Sequence, residues 1–131
     1  MRTIKFRAWD NELGLMYAGT TLEKMLQDPP EWRDYYVWEQ FTGLLDKNGV
    51  EIYEGDVVRI VSKMVKVDGS PTKEEDAINT YEIFYHPQHC EWFRRLLTTN
   101  KHYTIGYEEK VSYITLHYYE VIGNIHEEVV K

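Results

Sequence analysis

The chain has 131 residues, of which 43% are hydrophobic and 15% aromatic, and its formal net charge is −7. This length predicts a single domain whose core needs neither disulfides nor a metal. The acidic charge disfavours non-specific binding to nucleic acids or to anionic membranes. Cys90 is the only cysteine, which excludes an intrachain disulfide, and no apolar run approaches the length of a membrane span. The N-terminus lacks the apolar segment of a signal peptide, so we expect a cytoplasmic protein.

The first part of the chain predicts two short strands and a short helix. Residues 3–9 alternate between apolar and polar side chains, which is typical of a strand with one solvated face. After a turn, residues 15–17 predict a short returning strand. Thr20 and Glu23 have the spacing of a capping box, and the two prolines that follow end the helix because neither has an N–H to donate. We therefore expect residues 1–39 to form a strand–helix extension packed on the main domain.

Residues 40–60 predict an antiparallel hairpin followed by a third strand. Asn48 and Gly49 supply the positive φ angles that a tight hairpin turn needs. Glu54 and Asp56 flank a glycine, and we expect Asp56 to accept hydrogen bonds from nearby backbone N–H groups rather than to take part in acid–base chemistry. The side chains that we expect in the core, including two partners from the end of the chain, are Phe41, Ile52, Val58, Ile60, Val121 and Ile125.

The rest of the chain predicts further strands joined by polar turns. We expect strands at residues 57–67, 80–85, 91–98, 103–107, 111–116 and 119–125, turns at 99–101 and 108–110, and a flexible loop at 68–79. Gly123 and Asn124 indicate a bulge or bend in the last strand. The fold class is therefore mainly β, with a small barrel over residues 40–131.

Three blocks of sequence resemble the YopX family of tailed phages, prophages and their bacterial hosts. They are IKFRAWD at residues 4–10, residues 40–60 with NGVEIYEGD at their centre, and YEVIGNI at residues 119–125. The resemblance implies a mostly β protein with an SH3-like barrel and no assigned activity, whereas residues 62–111 depart from the family pattern. The motif residues, which we expect to be structural, are Trp9, Asp10, Gly43, Asp46, Asn48, Gly49, Tyr53, Gly55, Asp56, Gly123 and Asn124.

Residues 86–90 are the most site-like cluster. His86, His89 and Cys90 could supply metal ligands, and a metal-dependent hydrolase built on them is one alternative function. Structural zinc usually needs four ligands, and the chain offers no second cysteine. We favour a turn in which Cys90 is buried as a small hydrophobic side chain. A Cys–His nucleophile pair is disfavoured because adjacent residues on a strand point to opposite faces. We expect no catalytic residue, no cofactor and no enzymatic activity.

An aromatic set provides the other candidate surface. Its members are Trp32, Tyr35, Tyr36, Trp38 and Phe41. Together with Arg94 and Arg95 they could bind single-stranded nucleic acid, but we favour a core with a few half-exposed rings. The sequence thus predicts a non-enzymatic protein-binding or assembly module of phage or prophage origin. Its partner is either a second copy of the chain or a host or phage protein; the alternative is a monomer whose N-terminal strand covers the sheet edge.

Overall fold

The computed structural model describes residues 3–27, 29, 31, 35–112 and 117–127. The fold of this part of the chain is mainly β, and its named elements are a short helix and nine strands. In chain order the elements are β1 (Lys5–Asp10), β2 (Leu15–Thr21), α1 (Leu22–Gln27), β3 (Val37–Leu45), β4 (Glu51–Tyr53), β5 (Asp56–Ser62), β6 (Ala77–His86), β7 (Glu91–Thr99), β8 (Glu108–Lys110) and β9 (Glu120–Asn124).

The strands form two antiparallel sheets. The first has four strands in the order β2-β1-β3-β4, and the second has five in the order β8-β7-β6-β5-β9. The five-stranded sheet curls into a half-barrel. An SH3-like arrangement of these strands stays a prediction.

Strand β3 joins the N-terminal strands to the hairpin. Its first half pairs with β1, where Glu39 lies opposite Arg7, and its second half pairs with β4, where Phe41 lies opposite Tyr53. The expected boundary between residues 1–39 and 40–131 falls inside this strand. β1 and β4 are thus held in one sheet by the backbone of a single strand.

The hairpin within residues 40–60 is confirmed, but its turn differs from the predicted one. Gly49 has a φ of 80°, whereas Asn48 lies outside the positive-φ region. The turn runs from Asp46, whose carbonyl oxygen accepts from the Gly49 N–H at 3.1 Å. The Asp46 Oδ1 atom also accepts from the N–H groups of Asn48 (2.8 Å) and Val50 (2.9 Å). The Asp46 side chain therefore stabilises a longer turn in which only glycine needs the left-handed conformation.

The core lies on one face of the five-stranded sheet and is closed by β4. Its buried members are Ile52, Val58, Ile60, Tyr81, Ile83, Leu96, Val111 and Tyr119, and Val121 packs against them. Burial of the four predicted core residues in 40–60, including Phe41 at 8% exposure, is confirmed. The prediction for Ile125 is wrong: it is 45% exposed because β9 ends one residue earlier and the chain turns there.

Several predictions for the second half of the chain are wrong. The predicted strand at 103–107 is a turn region with Gly106 at a φ of 87°, and the predicted turn at 108–110 is β8. Strand β8 forms because its acidic residues lie opposite basic ones: Glu109 faces Arg94 and Glu108 faces Arg95 on β7.

Other boundaries differ by a few residues. β5 ends at Ser62 rather than at 67, and β6 begins at Ala77, inside the predicted loop at 68–79. The predicted bulge near Gly123 is confirmed, since Val57 pairs with Gly123 but Val58 pairs with Val121. Of the predicted strand at 111–116, residues 113–116 lie outside the described residues, and 111–112 are not in a strand.

The Gly49 turn gives a test of the hairpin. Nothing lies within 4 Å of a Cβ placed at this position, so any penalty comes from the backbone conformation alone. We expect Gly49→Val to lower the free energy of unfolding by about 1–2 kcal/mol, because a β-branched residue is strained at positive φ. Gly49→Asn is the control, since asparagine tolerates this conformation. Urea unfolding that shows the two variants to be equally stable would contradict this account of the turn.

Candidate functional site

Arg7 is the centre of a buried ion cluster between the two sheets. Its Nε donates to Glu39 Oε1 at 2.9 Å, its Nη1 to Asp56 Oδ1 at 2.6 Å and its Nη2 to the Glu54 carbonyl oxygen at 3.2 Å. The exposed fractions of Arg7, Glu39 and Asp56 are 7%, 3% and 2%. Because Arg7 and Glu39 belong to the four-stranded sheet and Asp56 to β5, these bonds hold the sheets together.

The Gly-Asp turn places Asp56 at the cluster. Gly55 has a φ of 84°, and a Cβ at this position would overlap the Glu39 carboxylate. The Gly55 N–H donates to the Ile83 carbonyl oxygen at 2.8 Å, and its own carbonyl oxygen accepts from the Ile125 N–H at 2.8 Å. Asp56 Oδ2 accepts from the Tyr53 N–H at 2.7 Å, as the sequence predicts for a turn residue.

His126 extends the cluster to the C-terminal motif. Its Nε2 lies 3.1 Å from Glu39 Oε2, and its ring stacks on Trp9 with the ring centroids 5.0 Å apart. The Asn124 Oδ1 atom accepts from the His126 N–H at 2.9 Å and so fixes the turn that places the ring. The three sequence motifs thus meet at one point in the fold.

The remaining motif residues also have local structural roles. Asp10 Oδ1 accepts from the N–H groups of Glu12 and Leu13, which fixes the β1–β2 turn. Asp46 Oδ2 accepts from the Val121 N–H at 2.9 Å and thereby links the hairpin to β9. The Tyr53 ring lies under the Arg7 guanidinium, 4.9 Å from the ring centroid. Gly43 has a φ of 85° at the register shift of β3.

Burial has the largest effect on the pKa values of Asp56 and Glu54. It raises the pKa of Asp56 to about 6, although the charge of Arg7 and the Tyr53 N–H favour the ionised carboxylate. Burial likewise raises the pKa of Glu54, which lies at the edge of the cluster. One arginine faces two nearly inaccessible carboxylates, and each is already bonded to it. This arrangement favours a structural role over general acid–base catalysis, which needs a group that can reach a substrate.

The segment at 86–90 forms the turn between β6 and β7. The Cys90 N–H donates to the His86 carbonyl oxygen at 2.8 Å, and Cys90 has a φ of 53°. The expectation that Cys90 is buried is wrong: it is exposed, because the turn carries it away from the core. The rings of His86 and His89 meet edge to face at 4.5 Å, and His89 stacks on Phe93. Among the described residues, no three His, Cys, Asp or Glu side chains are grouped so that they could hold a metal ion.

The structure brings part of the predicted aromatic set together. Three of the rings join Tyr17 of β2 in a row of edge-to-face contacts. The centroid of the Tyr36 ring lies 6.0 Å from that of Tyr17, 4.9 Å from that of Tyr35 and 6.0 Å from that of Trp38. We call Tyr17, Tyr35, Tyr36 and Trp38 the aromatic row. Two predicted members are not in it: Phe41 is buried against Tyr53, and Trp32 lies outside the described residues.

The aromatic row lies on the face of the four-stranded sheet opposite the ion cluster. Tyr17 and Trp38 both pair with Ala8, whereas Arg7 and Glu39 belong to the alternate face. Tyr17 is 45% and Tyr35 43% exposed. Hydrogen bonding to the Glu12 carboxylate, together with burial and the nearby Asp10 charge, raises the pKa of Tyr35, so its hydroxyl stays neutral. The row is therefore an uncharged, half-exposed surface.

The two arginines considered with this set lie elsewhere. Arg94 and Arg95 are on β7 of the five-stranded sheet. Arg94 Nε donates to Glu109 at 2.9 Å, and Arg95 donates to Glu108 at 2.8 Å and to Glu82 at 3.1 Å. Their charges are thus matched by carboxylates. The structure does not combine them with the aromatic row into a surface for nucleic acid.

The comparisons with known proteins identify the family. The sequence matches the YopX protein family over residues 5–130. The chain belongs to the YopX family. It also resembles the crystal structure of protein EF1440 from Enterococcus faecalis, with a TM-score of 0.51 and 23% sequence identity over 96% of this chain and 95% of that one. At this identity the likeness shows the fold alone. The search of curated proteins gave no match. No helix in the described residues has the length and apolar character that crossing a membrane requires.

The ion cluster predicts that Arg7 contributes much more to the free energy of unfolding than an arginine on the surface does. Arg7→Leu should lower the free energy of unfolding by about 3–5 kcal/mol, because it leaves two buried carboxylates without their cation. Arg59→Leu is the matched control, since the Arg59 side chain is 42% exposed and pairs with Glu120 on the surface; it should cost less than about 1 kcal/mol. Chemical unfolding measures both values, and equal losses would contradict a stabilising role for the cluster.

The raised pKa of Asp56 predicts a pH dependence of stability. Between about pH 4 and pH 6 the folded protein binds more protons at this group than the unfolded chain does, so its contribution to stability falls as the pH rises. The test compares the free energy of unfolding of the unsubstituted protein with that of Asp56→Asn. We expect the first value minus the second to decrease across this window by up to about 3 kcal/mol. Unfolding titrations at several pH values measure this difference, and an increase with pH would contradict the assignment.

Proposed function

We propose that this YopX protein is a non-enzymatic protein-binding module that self-associates through β2 and the neighbouring aromatic row. The observation that carries the proposal is an exposed apolar surface along an outer strand. Leu13, Leu15 and Tyr17 are 65%, 49% and 45% exposed, and Tyr35 lies beside them at 43%. Leu15 and Tyr17 are two residues apart on β2, so they share one face of the strand. Apolar surface concentrated in this way marks a contact site more often than a solvated face.

The position of β2 supports pairing with another chain. β2 has seven residues and lies at the end of the four-stranded sheet. The end strand β8 has only three residues. The hairpin already lies against β9, since Asp46 Oδ2 accepts from the Val121 N–H at 2.9 Å and the Lys47 N–H donates to the carbonyl oxygen of Tyr119, just before the strand, at 2.9 Å. β2 is therefore the longest sheet edge among the described residues that could accept a further strand.

A second copy of the chain is the partner that best fits this edge. Two β2 strands can pair antiparallel about a two-fold axis, which brings the same side chains of both copies together. Such pairing would place Leu15 and Tyr17 of one copy against those of the other. The net charge of −7 opposes indiscriminate aggregation and permits one defined contact.

The proposal includes a phage or prophage origin and action in the bacterial cytoplasm. Family membership supports a phage or prophage origin, and the acidic chain with its single cysteine supports action in the bacterial cytoplasm. The curled sheet supports an SH3-like barrel, a fold that commonly presents one face or edge to a partner. The motif residues support a non-enzymatic role because they fix turns and join the sheets.

Self-association is tested by light scattering over a concentration series. We expect the unsubstituted protein to dimerise by about 100 µM, well above a micromolar dissociation constant. The double variant Leu15→Lys, Tyr17→Lys should remain monomeric, because two charges would be buried at the contact. Tyr118→Lys is the control, since Tyr118 is 53% exposed and lies outside the aromatic row. A strictly monomeric unsubstituted protein at this concentration would refute self-association and leave only a heterologous protein partner.

A further inference from the structure

A cavity of about 510 Å³ lies between the two sheets. One wall comes from β3 and the turn after β4, and the other comes from β6, β7, β8 and the residues next to them. None of its lining residues in the described part of the chain belongs to β2 or to the aromatic row. The volume is within the range of pockets that hold small ligands. The lining residues that determine its chemistry are Leu44, Glu54, Tyr85, Glu91, Trp92 and Lys110.

The apolar part of the cavity is an aromatic wall. Trp92 and Leu44 are partly buried and pack against the hydrophobic core, so this wall has a fixed position. The Tyr85 ring meets the Trp92 ring edge to face, with the ring centroids 5.4 Å apart, and Tyr85 is 41% exposed. Rings of this kind attract a cation that lies over them.

Glu54 provides a carboxylate at the same cavity. The side chain is partly exposed, and the hydrogen bond that its carboxylate accepts within the described residues is a long one, from the Gln40 N–H at 3.4 Å. Arg7 lies nearby, but its guanidinium is bonded to the other two carboxylates of the ion cluster and reaches only the backbone carbonyl oxygen of Glu54. Burial, together with the nearby charge of Glu39, raises the pKa of Glu54. The ionised carboxylate is therefore incompletely compensated, and a cation in the cavity would compensate it.

The other two charged side chains of the cavity balance each other. Lys110 Nζ lies 3.2 Å from Glu91 Oε1, and both side chains are largely exposed. The charge of Glu54 remains in excess, so the lining favours a ligand with one positive charge. Phosphates and carboxylates are disfavoured for the same reason.

A guanidinium matches the aromatic wall and the carboxylate better than an ammonium does. It is planar, so it can stack on a ring while its N–H groups donate to a carboxylate in pairs, whereas an ammonium is more strongly hydrated and has no flat face. The cavity is also larger than one arginine side chain and can admit the residues next to it. We propose that it binds an arginine side chain of a partner protein, with the guanidinium against Tyr85 and Trp92 and paired with Glu54. Because the site lies apart from β2, the proposal does not depend on self-association.

Titration of the isotope-labelled protein with the peptide acetyl-Gly-Arg-Gly-amide, followed by NMR, tests the proposal. We expect saturable shifts centred on the amides of Leu44 and Glu54 and on the Trp92 indole N–H, with a dissociation constant below about 5 mM. The matched peptide carries citrulline, which keeps the shape of arginine but is neutral; it should bind at least about 10-fold more weakly. The lysine peptide and free arginine should also bind more weakly, the first because its ammonium is not planar and the second because it lacks the flanking residues.

Variants test the two parts of the site. Glu54→Gln should weaken binding of the arginine peptide at least about 10-fold, and Tyr85→Ala about 5-fold. Glu74→Gln is the matched control, since it removes the same charge from an exposed position outside the cavity, and it should leave binding unchanged. The amide spectrum reports whether each variant is folded, and Tyr85→Ala, at an exposed position, tests the site even if Glu54→Gln unfolds.

Four results would overturn the proposal. A dissociation constant above about 5 mM for the arginine peptide, or equal binding of the citrulline peptide, would show that the cavity does not recognise the cation. Equal binding of the lysine peptide would contradict the assignment of a guanidinium. Free arginine that binds as tightly as the peptide would contradict a protein partner as its source.

Discussion

The burial of Arg7 between Glu39 and Asp56 is the constraint on which the rest of the fold depends. Removing three charged groups from water is costly, and their mutual attraction compensates only when geometry and hydrogen bonding are good. Here the guanidinium meets both carboxylates and a backbone carbonyl within 3.2 Å. The cluster therefore requires β1, β3 and the start of β5 to adopt one relative position.

Other features of the chain follow from that position. Glycine is favoured at 55 because its φ is 84°, and a Cβ there would also displace the Glu39 carboxylate from its place in the cluster. His126 contacts Glu39 from the C-terminal turn and stacks on Trp9, so both ends of the described chain are tied to the same point. The ion cluster lies on one face of the four-stranded sheet, and the aromatic row lies on the opposite face. β2 is the outer strand of this sheet.

Local chemistry made much of the fold predictable from sequence. The hairpin, the glycine turn and the alternation that buries Val58 and Ile60 depend on residues close together in the chain. The ion cluster was not predictable in this way, because Arg7 and Asp56 are 49 positions apart. In the sequence Arg7 looks like a charge on a solvated strand face, and Asp56 looks like a turn residue. One signal was present: an arginine on an otherwise half-apolar strand, in the same motif as Trp9. Strand β8 was missed because charge pairing with β7, rather than strand propensity, stabilises it.

A double-mutant cycle between Arg7→Met and Asp56→Asn tests this account most directly. It compares the free energies of unfolding of both single variants and the double variant, and so isolates the interaction between the two side chains from their separate contributions. The account predicts a coupling energy of about 2 kcal/mol or more, with the double variant more stable than the sum of the single losses implies. A coupling energy near zero would show that the buried pair does not hold the two sheets together.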